Sequence, residues 1–186
     1  MSKSSEKILQ VAEQLFNEHG YTAVGVDLIR DQSHTSKTTM YTYFKSKNYL
    51  ITEVLKVRDR RFRSSLTTAV QNGEQSTAGK IRSLFLWHFD WFKSGNFHGC
   101  MFVKVALDMP QDNKSGLIIA IQHKLWLKNF IYELLLGSKE IECLADTIFN
   151  ILEGLIHRFL VFGYDETVAE NSLASVLKIY NLFNPE

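Results

Sequence analysis

Hydroxyl and ammonium groups are concentrated in one stretch of the chain, residues 35–47. Its sequence is Thr-Ser-Lys-Thr-Thr-Met-Tyr-Thr-Tyr-Phe-Lys-Ser-Lys. Lysine donates to guanine O6 and N7, and threonine offers a hydroxyl to base edges and a methyl to thymine. The stretch predicts a short helix with a polar outer face. Met40 and Phe44, spaced i and i+4, share its inward side and hold it to its neighbours.

A second short segment, residues 26–33, precedes this helix, with only a tight corner around His34 between them. Two short helices joined by such a corner are typical of a helix-turn-helix whose second helix enters the major groove of DNA. The spacing therefore predicts a DNA-binding unit near the N-terminus.

The rest of the chain must fold around this unit. It has 186 residues, 45% of them hydrophobic, and only two prolines, so a helical core is possible over almost the whole length. Apolar residues recur at helical spacing, and no period-two strand pattern is present. We expect an all-α fold of about nine helices. The predicted helices begin at Ser4 or Ser5, which can cap the first one, and at about residues 26, 35, 47, 79, 100, 117, 138 and 167, with a loop at residues 110–116.

Charge divides the chain unevenly. Residues 1–63 hold 11 Lys+Arg and 7 Asp+Glu, although the whole chain carries a net charge of only +1. The basic excess coincides with the predicted helix-turn-helix, where phosphate contacts require it. We predict a DNA-binding domain at residues 1–46 and a second helical domain at residues 47–186, with a helix from about 47 to 71 linking the two.

Other classes of protein lack support in the sequence. The chain has no CxxC pair and no HxxxH spacing, so we expect no metal site, even from His88, His123 and His157 together. It contains no nucleophile elbow and no glycine-rich phosphate loop, so we expect neither an enzyme nor a cofactor. It has no signal-peptide pattern and no long apolar run, which predicts a cytoplasmic protein that does not bind membranes.

The N-terminal third carries a family resemblance. The matching residues are Ile8-Leu9, Ala12, Leu15-Phe16, Gly20-Tyr21, Val26-Asp27, Ile29, Ser36-Lys37, Thr39, Tyr41, Phe44 and Lys45-Ser46-Lys47. This string resembles the DNA-binding domain of TetR-family transcriptional regulators over roughly residues 6–55. The remainder resembles the family in architecture only. The resemblance implies a helix-turn-helix domain, a divergent helical domain that binds a ligand and dimerises, and a palindromic operator of double-stranded DNA.

Five positions depart from the family pattern. Val24-Gly25 replaces a usual Thr-Ser at the start of the second helix, so a side-chain phosphate contact is lost. His34 replaces the usual glycine of the turn, although histidine tolerates positive φ better than most residues. Arg30 replaces a small residue and either adds a phosphate contact or displaces packing. Thr38 replaces a glycine. These changes affect the contact register rather than the assignment.

The resemblance assigns a role to each matching residue of the reading helix. Lys37, Thr38, Thr39, Thr42 and Tyr43 face DNA, Tyr41 and Lys47 approach phosphates, and Ser36 caps the helix or binds phosphate. The predicted DNA-binding set is Gly25, Ser36, Lys37, Thr38, Thr39, Tyr41, Thr42, Tyr43 and Lys47.

One reading helix contacts only a few base pairs, so specificity requires a dimer. The last two helices are apolar on more than one side, which favours burial against a partner, and Gly154 permits close approach. By resemblance they form a four-helix bundle in a homodimer. The predicted interface residues are Ile148, Ile151, Leu155, Phe159, Phe162, Leu173, Val176, Leu177 and Tyr180.

The middle of the chain is rich in aromatic residues, which suit a pocket for a small, mostly apolar effector. The predicted effector-binding residues are Trp87, His88, Trp91, Phe92, Cys100, Phe102, His123, Trp126, Phe130, Glu153 and His157. Two alternatives remain. Cys100, in a Gly-Cys pair before a helix, resembles the cysteine of family members that sense electrophiles or oxidants. Other members organise DNA without a ligand.

Overall fold

The computed structural model describes residues 2–109 and 114–185. Within these residues the chain forms nine α-helices and no strand, which confirms the predicted all-α fold. The helices are α1 (Lys3–His19), α2 (Val26–Ser33), α3 (Lys37–Tyr43), α4 (Lys47–Asn72), α5 (Thr77–Lys93), α6 (Met101–Asp108), α7 (Lys114–Leu134), α8 (Ile141–Phe162) and α9 (Glu166–Phe183). No helix in the described ranges is both long and apolar enough to span a bilayer.

The first helix begins earlier than the sequence predicts. Ser2, rather than Ser4 or Ser5, is its N-cap, because the Ser2 hydroxyl accepts the backbone N–H of Ser5 at 3.2 Å. The helix ends as predicted at Gly20, whose N–H donates to the carbonyl of Phe16.

The corner of the helix-turn-helix is left-handed at His34, with φ 52° and ψ 42°. Its backbone N–H closes α2 by donating to the carbonyls of Arg30 and Asp31. Next to it, the hydroxyls of Ser33 and Thr35 are 2.8 Å apart. The predicted positive φ at His34 is therefore present, and a hydrogen bond between the side chains of its two neighbours supports the turn.

Two boundaries in the second half differ from the prediction. Residues 114–116 belong to α7 rather than to the predicted loop, and residues 110–113 lie outside the described residues. The predicted cap Ser138 does not begin α8. The chain instead turns through Gly137 and Glu140, both at positive φ, and Glu140 is the N-cap. Two left-handed residues within four positions postpone the helical dihedral angles until Ile141.

The chain packs as two compact units. Unit 1 comprises the residues up to Arg61 together with Cys100–His123, and unit 2 comprises Phe62–Gly99 with Lys124–Glu186. Buried apolar side chains of α1 and α6 and of the first part of α4 fill the core of unit 1, and those of α5, α8 and α9 fill that of unit 2. The end of α4 adds buried residues to unit 2, and α7 contributes to both units. Because α6 packs with the helix-turn-helix, these units differ from the functional division at residue 46, which stays a prediction.

A group of polar contacts fastens the connector between α1 and α2 to α6. The carboxylate of Asp108 accepts the backbone N–H of Tyr21 at 2.9 Å, and the fully buried Tyr21 hydroxyl donates to the carbonyl of Met101 at 3.0 Å. The Lys104 ammonium donates to the carbonyl of Asn17 at 2.6 Å. We call these five residues the α6 latch.

The α6 latch also accounts for two pKa shifts. Burial raises the pKa of Tyr21, so its phenol stays protonated and keeps its donor. Burial lowers the pKa of Lys104, an effect that the nearby Asp108 carboxylate opposes.

Gly20 provides a direct test of this packing. Its φ is +80° and its ψ 171°, a conformation almost confined to glycine. A Cβ there would lie 2.9 Å from Oδ2 of Asp108. We predict that Gly20→Ala lowers the free energy of unfolding by about 1–3 kcal/mol, measured by urea denaturation.

The matched control is Gly95→Ala, since Gly95 has no positive φ and a Cβ there would meet nothing within 4 Å. Its unfolding free energy should change by less than about 0.5 kcal/mol. Equal effects of the two substitutions would contradict the proposed strain at Gly20.

Candidate nucleic-acid interface and effector region

The predicted DNA-binding residues share the surface of unit 1. Seven of the nine are exposed, and Thr39 and Lys47 are half-buried. Met40 and Phe44 are only 2% and 5% exposed, so they anchor α3 from its inner side as predicted. A seven-residue helix with so little buried surface leaves nearly all its polar groups facing outward.

Hydrogen bonds within α3 fix several of its hydroxyls. The Ser36 hydroxyl accepts the backbone N–H of Thr39 at 3.0 Å and lies 2.8 Å from the Thr39 hydroxyl. The Thr42 hydroxyl donates to the carbonyl of Thr38 at 2.8 Å. These bonds cap and brace the helix, whereas Lys37 and Tyr43 are exposed.

A set of charges links α2 to the first residue of α3. Nη1 of Arg30 is 2.8 Å from Oδ1 of Asp27, and Nη2 is 2.7 Å from Oδ1 of Asp31. Nζ of Lys37 is 3.8 Å from the same Oδ1 of Asp27. Arg30 is thus held on the surface by two carboxylates and does not displace core packing. Asp27 is not in the DNA-binding set that the sequence predicts. Its spacing from Arg30 (i, i+3) was visible, but its distance from Lys37 depends on the angle between two helices.

Lys47 begins α4 at the edge of this surface. Partial burial lowers the pKa of Lys47, because its ammonium loses part of its hydration. A phosphate oxygen placed there would favour the charged form. The phosphate contact of Lys47 stays a prediction.

The predicted effector residues divide between the two units. Cys100, Phe102 and His123 belong to unit 1, and the other eight belong to unit 2. In unit 1 the rings of Phe102 and His123 stack with centroids 3.7 Å apart, and Nδ1 of His123 is 2.8 Å from Oδ1 of Asp59. Cys100 is the N-cap of α6 and is 7% exposed. All three are packed core side chains in this conformation.

In unit 2 three tryptophan rings surround Phe62, a residue that the sequence did not predict as part of the effector site. Phe62 of α4 has ring centroids 4.8 Å from Trp87, 6.2 Å from Trp91 and 6.4 Å from Trp126, each nearly edge-on. We call these four residues the Phe62 cluster. Phe130 stacks on Trp126 at 5.1 Å. Phe62 is buried, whereas the three indoles are half-buried, so the cluster has an apolar floor with partly accessible rings.

Two indole N–H groups of the Phe62 cluster differ in their partners. Nε1 of Trp87 donates to the Ser65 hydroxyl at 2.9 Å. Nε1 of Trp91 is buried and has no hydrogen-bond partner among the described residues. The guanidinium of Arg63 lies 4.9 Å from the centroid of the Trp126 ring. An unsatisfied buried donor is uncommon in folded proteins and requires an explanation.

The remaining polar effector candidates lie on α5 and α8. His88 is fully buried, with Nδ1 2.7 Å from the carbonyl of Leu84 on its own helix, and its ring packs against Phe62 and Phe92. The Glu153 carboxylate accepts hydrogen bonds from the Lys124 ammonium, whose Nζ is 2.6 Å from Oε1 and 2.7 Å from Oε2. His157 is exposed, and its Nδ1 is 2.8 Å from the carbonyl of Glu153. Their effector roles stay a prediction.

The predicted dimer residues fall into two groups. Within a single chain Ile148, Leu155, Phe159, Leu173 and Val176 are buried, and Ile151, Leu177 and Tyr180 are half-buried. Phe162, in contrast, is 78% exposed. The first group forms the core of unit 2, so the other four are the ones that a partner can contact in this conformation. The described residues contain no cluster of three or more His, Cys, Asp or Glu side chains that could hold a metal ion.

Comparison with known proteins agrees with this geometry. Residues 8–54, which include α2 and α3, match the model of bacterial regulatory proteins of the tetR family. The HTH-type transcriptional repressor NemR of Escherichia coli K12 is 26% identical over 116 residues, 60% of this chain and 58% of that protein. The HTH-type transcriptional regulator QacR of Staphylococcus aureus is 37% identical over 57 residues, 31% of this chain and 30% of that protein. The matches thus span less than two thirds of these relatives.

Solved structures extend the likeness to the whole fold. SCO4454, a TetR-family transcriptional regulator from Streptomyces coelicolor, superposes with a TM-score of 0.88 at 23% identity, covering 97% of this chain and 95% of that one. The reduced form of E. coli NemR gives a TM-score of 0.83 at 20% identity, covering 94% and 95%. The N-terminal helix-turn-helix therefore matches the DNA-binding domain of tetR-family bacterial regulatory proteins, and the fold of the described residues is that of solved TetR-family structures.

Proposed function

We propose that this protein is a dimeric repressor that binds a palindromic operator through α3 and leaves it when a small aromatic effector binds. The observation that carries the proposal is the exposed polar face of α3, anchored from behind by Met40 and Phe44. Such a face has little apolar surface to bury, and its lysine, threonine and tyrosine groups match base edges and phosphates.

Dimerisation is supported by apolar surface left open on α8 and α9. Leu160, Val161, Phe162 and Leu182 are 49%, 73%, 78% and 77% exposed. Gly154 is also exposed, and a Cβ there would meet nothing within 4 Å. A second copy packed on these helices removes this surface from water and places two reading helices on one duplex.

The effector site that we propose is the Phe62 cluster. Its partly accessible indoles offer flat apolar contact, and the buried N–H of Trp91 has no partner in the described part of the chain. A flat aromatic effector with a hydrogen-bond acceptor on its rim satisfies both features. The acceptor pairs with Nε1 of Trp91, which removes the cost of an unsatisfied buried donor.

Transmission to DNA is supported by the α6 latch. It holds the connector before α2 by the carboxylate of Asp108, and α4 contributes residues both to the Phe62 cluster and to unit 1. An effector that binds better to a DNA-incompetent state shifts the population toward that state. Displacement of α4 or α6 in that state changes the placement of α2 and α3.

The DNA-binding role can be tested at two exposed residues of α3. We predict that Lys37→Ala and Tyr43→Ala each weaken binding to an operator obtained by in vitro selection by about tenfold, because each removes a base contact. Gel shift at fixed salt measures the affinity, and circular dichroism checks the fold.

Lys139→Ala is the control, since Lys139 is an exposed lysine of unit 2 and the substitution removes the same charge. It should bind the operator like the unmodified protein. Unchanged affinity in both α3 variants would show that this face does not read DNA.

The effector role can be tested with two ligands that differ in one acceptor, 2-acetylnaphthalene and 2-ethylnaphthalene. We expect the ketone to quench tryptophan fluorescence at lower concentration than the hydrocarbon. Trp91→Phe keeps a ring but removes the N–H, so it should abolish this preference, which we expect to be about three- to tenfold.

The matched control is Trp87→Phe, since the Trp87 N–H is already paired with Ser65. It should keep the preference for the ketone. If neither compound binds the protein or releases it from DNA, and a wider set of flat aromatic acceptors also fails, the alternative of a DNA-organising protein without a ligand gains support.

A second candidate mechanism rests on Cys100, the N-cap of the same helix α6 that holds the latch. Its low exposure argues against rapid oxidation, because an oxidant must reach the sulfur. We therefore predict that Cys100→Ser still releases DNA when the aromatic effector is added.

The same variant, treated with hydrogen peroxide in a gel shift, tests the alternative. Cys143→Ser is the control, because Cys143 is the exposed thiol. The sensor mechanism would be favoured over the effector mechanism by two results together. Peroxide would release DNA from the unmodified protein and from Cys143→Ser but not from Cys100→Ser, and aromatic compounds would release no DNA.

A further inference from the structure

Asp27 brings a negative charge to the surface that we propose reads DNA. It lies in the first turn of α2, and its Oδ1 is 3.8 Å from Nζ of Lys37, the first residue of α3. Both side chains extend into solvent, with 66% and 59% of their surface exposed. The Lys37 ammonium, a donor, and the Asp27 carboxylate, an acceptor, therefore lie next to each other at the N-terminal ends of α3 and α2.

The carboxylate is not an isolated charge. Nη1 of Arg30 binds the same Oδ1 at 2.8 Å, and Arg30 also contacts Asp31 at 2.7 Å. Arg30 thus orients Asp27 and offsets part of the repulsion that a carboxylate meets beside phosphates. Without such a partner, an acidic residue on this face would only weaken binding to DNA.

The major-groove edge of a G·C pair complements this arrangement. Guanine presents two adjacent acceptors, N7 and O6, and cytosine presents the N4 amino donor next to O6. An A·T pair differs, because the N6 amino donor of adenine lies between the acceptors N7 and O4. A lysine that spans two adjacent acceptors, flanked by a carboxylate that accepts from N4, therefore matches G·C better than A·T.

We propose that Asp27 and Lys37 read one G·C pair of the operator together, with Lys37 donating to guanine and Asp27 accepting from the N4 amino group of cytosine. The inference rests on the proposed DNA-binding function and adds a residue that determines its specificity. In this arrangement Arg30 is a positioning residue, because it acts through Asp27.

The test uses the whole protein and a duplex enriched from random sequence by the unmodified chain. The same selection is repeated with Lys37→Ala. The operator position at which this variant no longer prefers one base is the position that Lys37 reads. At that position the cytosine is replaced by 2-pyrimidinone, which lacks the N4 amino group but still pairs with guanine. Affinities for the two duplexes are measured by fluorescence anisotropy at one salt concentration.

We expect the unmodified protein to bind the analogue between about fivefold and a hundredfold more weakly than the natural duplex. Asp27→Ala should bind the two duplexes with equal affinity once a control has corrected for the effect of the analogue on duplex stability. This variant has no carboxylate that could accept from the N4 amino group. Asp31→Ala removes the same charge and another partner of Arg30, yet it should keep the sensitivity to the analogue.

Three results would overturn the inference. In one, the unmodified protein and Asp27→Ala lose the same affinity on the analogue, so Asp27 does not contact the amino group. In another, Asp27→Ala binds every sequence more tightly with unchanged preference, so the carboxylate acts only by charge. In the third, the selected operator has no G·C pair where Lys37 reads. A protein that enriches no sequence at all would instead refute the proposed function, and this inference with it.

Discussion

The position of the reading helix depends on how the short connector after α1 is held. Four residues separate Gly20, which has a positive φ, from Gly25, the N-cap of α2. Such a connector has backbone groups that its own helices cannot satisfy. Here Asp108 accepts the N–H of Tyr21, and the Tyr21 ring is completely buried with its hydroxyl bonded to α6. The path from α1 into α2 is therefore set by a helix that occurs about eighty residues later in the chain.

The composition of α3 makes this external support necessary. The helix has seven residues and one fully buried side chain, Met40, with Phe44 as its C-cap. Isolated helices of this length are unstable in water, so α3 exists through its cap at Ser36 and its packing against α1 and α2. A reading helix that must present polar groups to DNA cannot stabilise itself by apolar burial, and the surrounding elements take over that role.

The sequence was sufficient for the parts of the fold that depend on local patterns. Long helices follow from apolar spacing, and the left-handed turn at His34 follows from the family pattern, because both are encoded within a few residues. The caps of α1 and α8 were predicted wrongly, since several serines competed and the left-handed Glu140 has no sequence signature. Contacts such as Lys104 with Asn17, 87 residues apart, had no local signal at all.

The same distinction applies to the candidate sites. Aromatic density indicated the region of the Phe62 cluster, yet its centre, Phe62, lies on α4 among arginines, where spacing alone did not single it out. Residue type also could not separate Trp87 from Trp91, whose N–H groups differ because only the first has a hydroxyl within reach. On the DNA side, Lys37 was recognisable from its motif, whereas Asp27 required the angle between two helices. In each case the sequence supplies the chemical group, and the packing decides whether that group is already satisfied or is left for a ligand to complete.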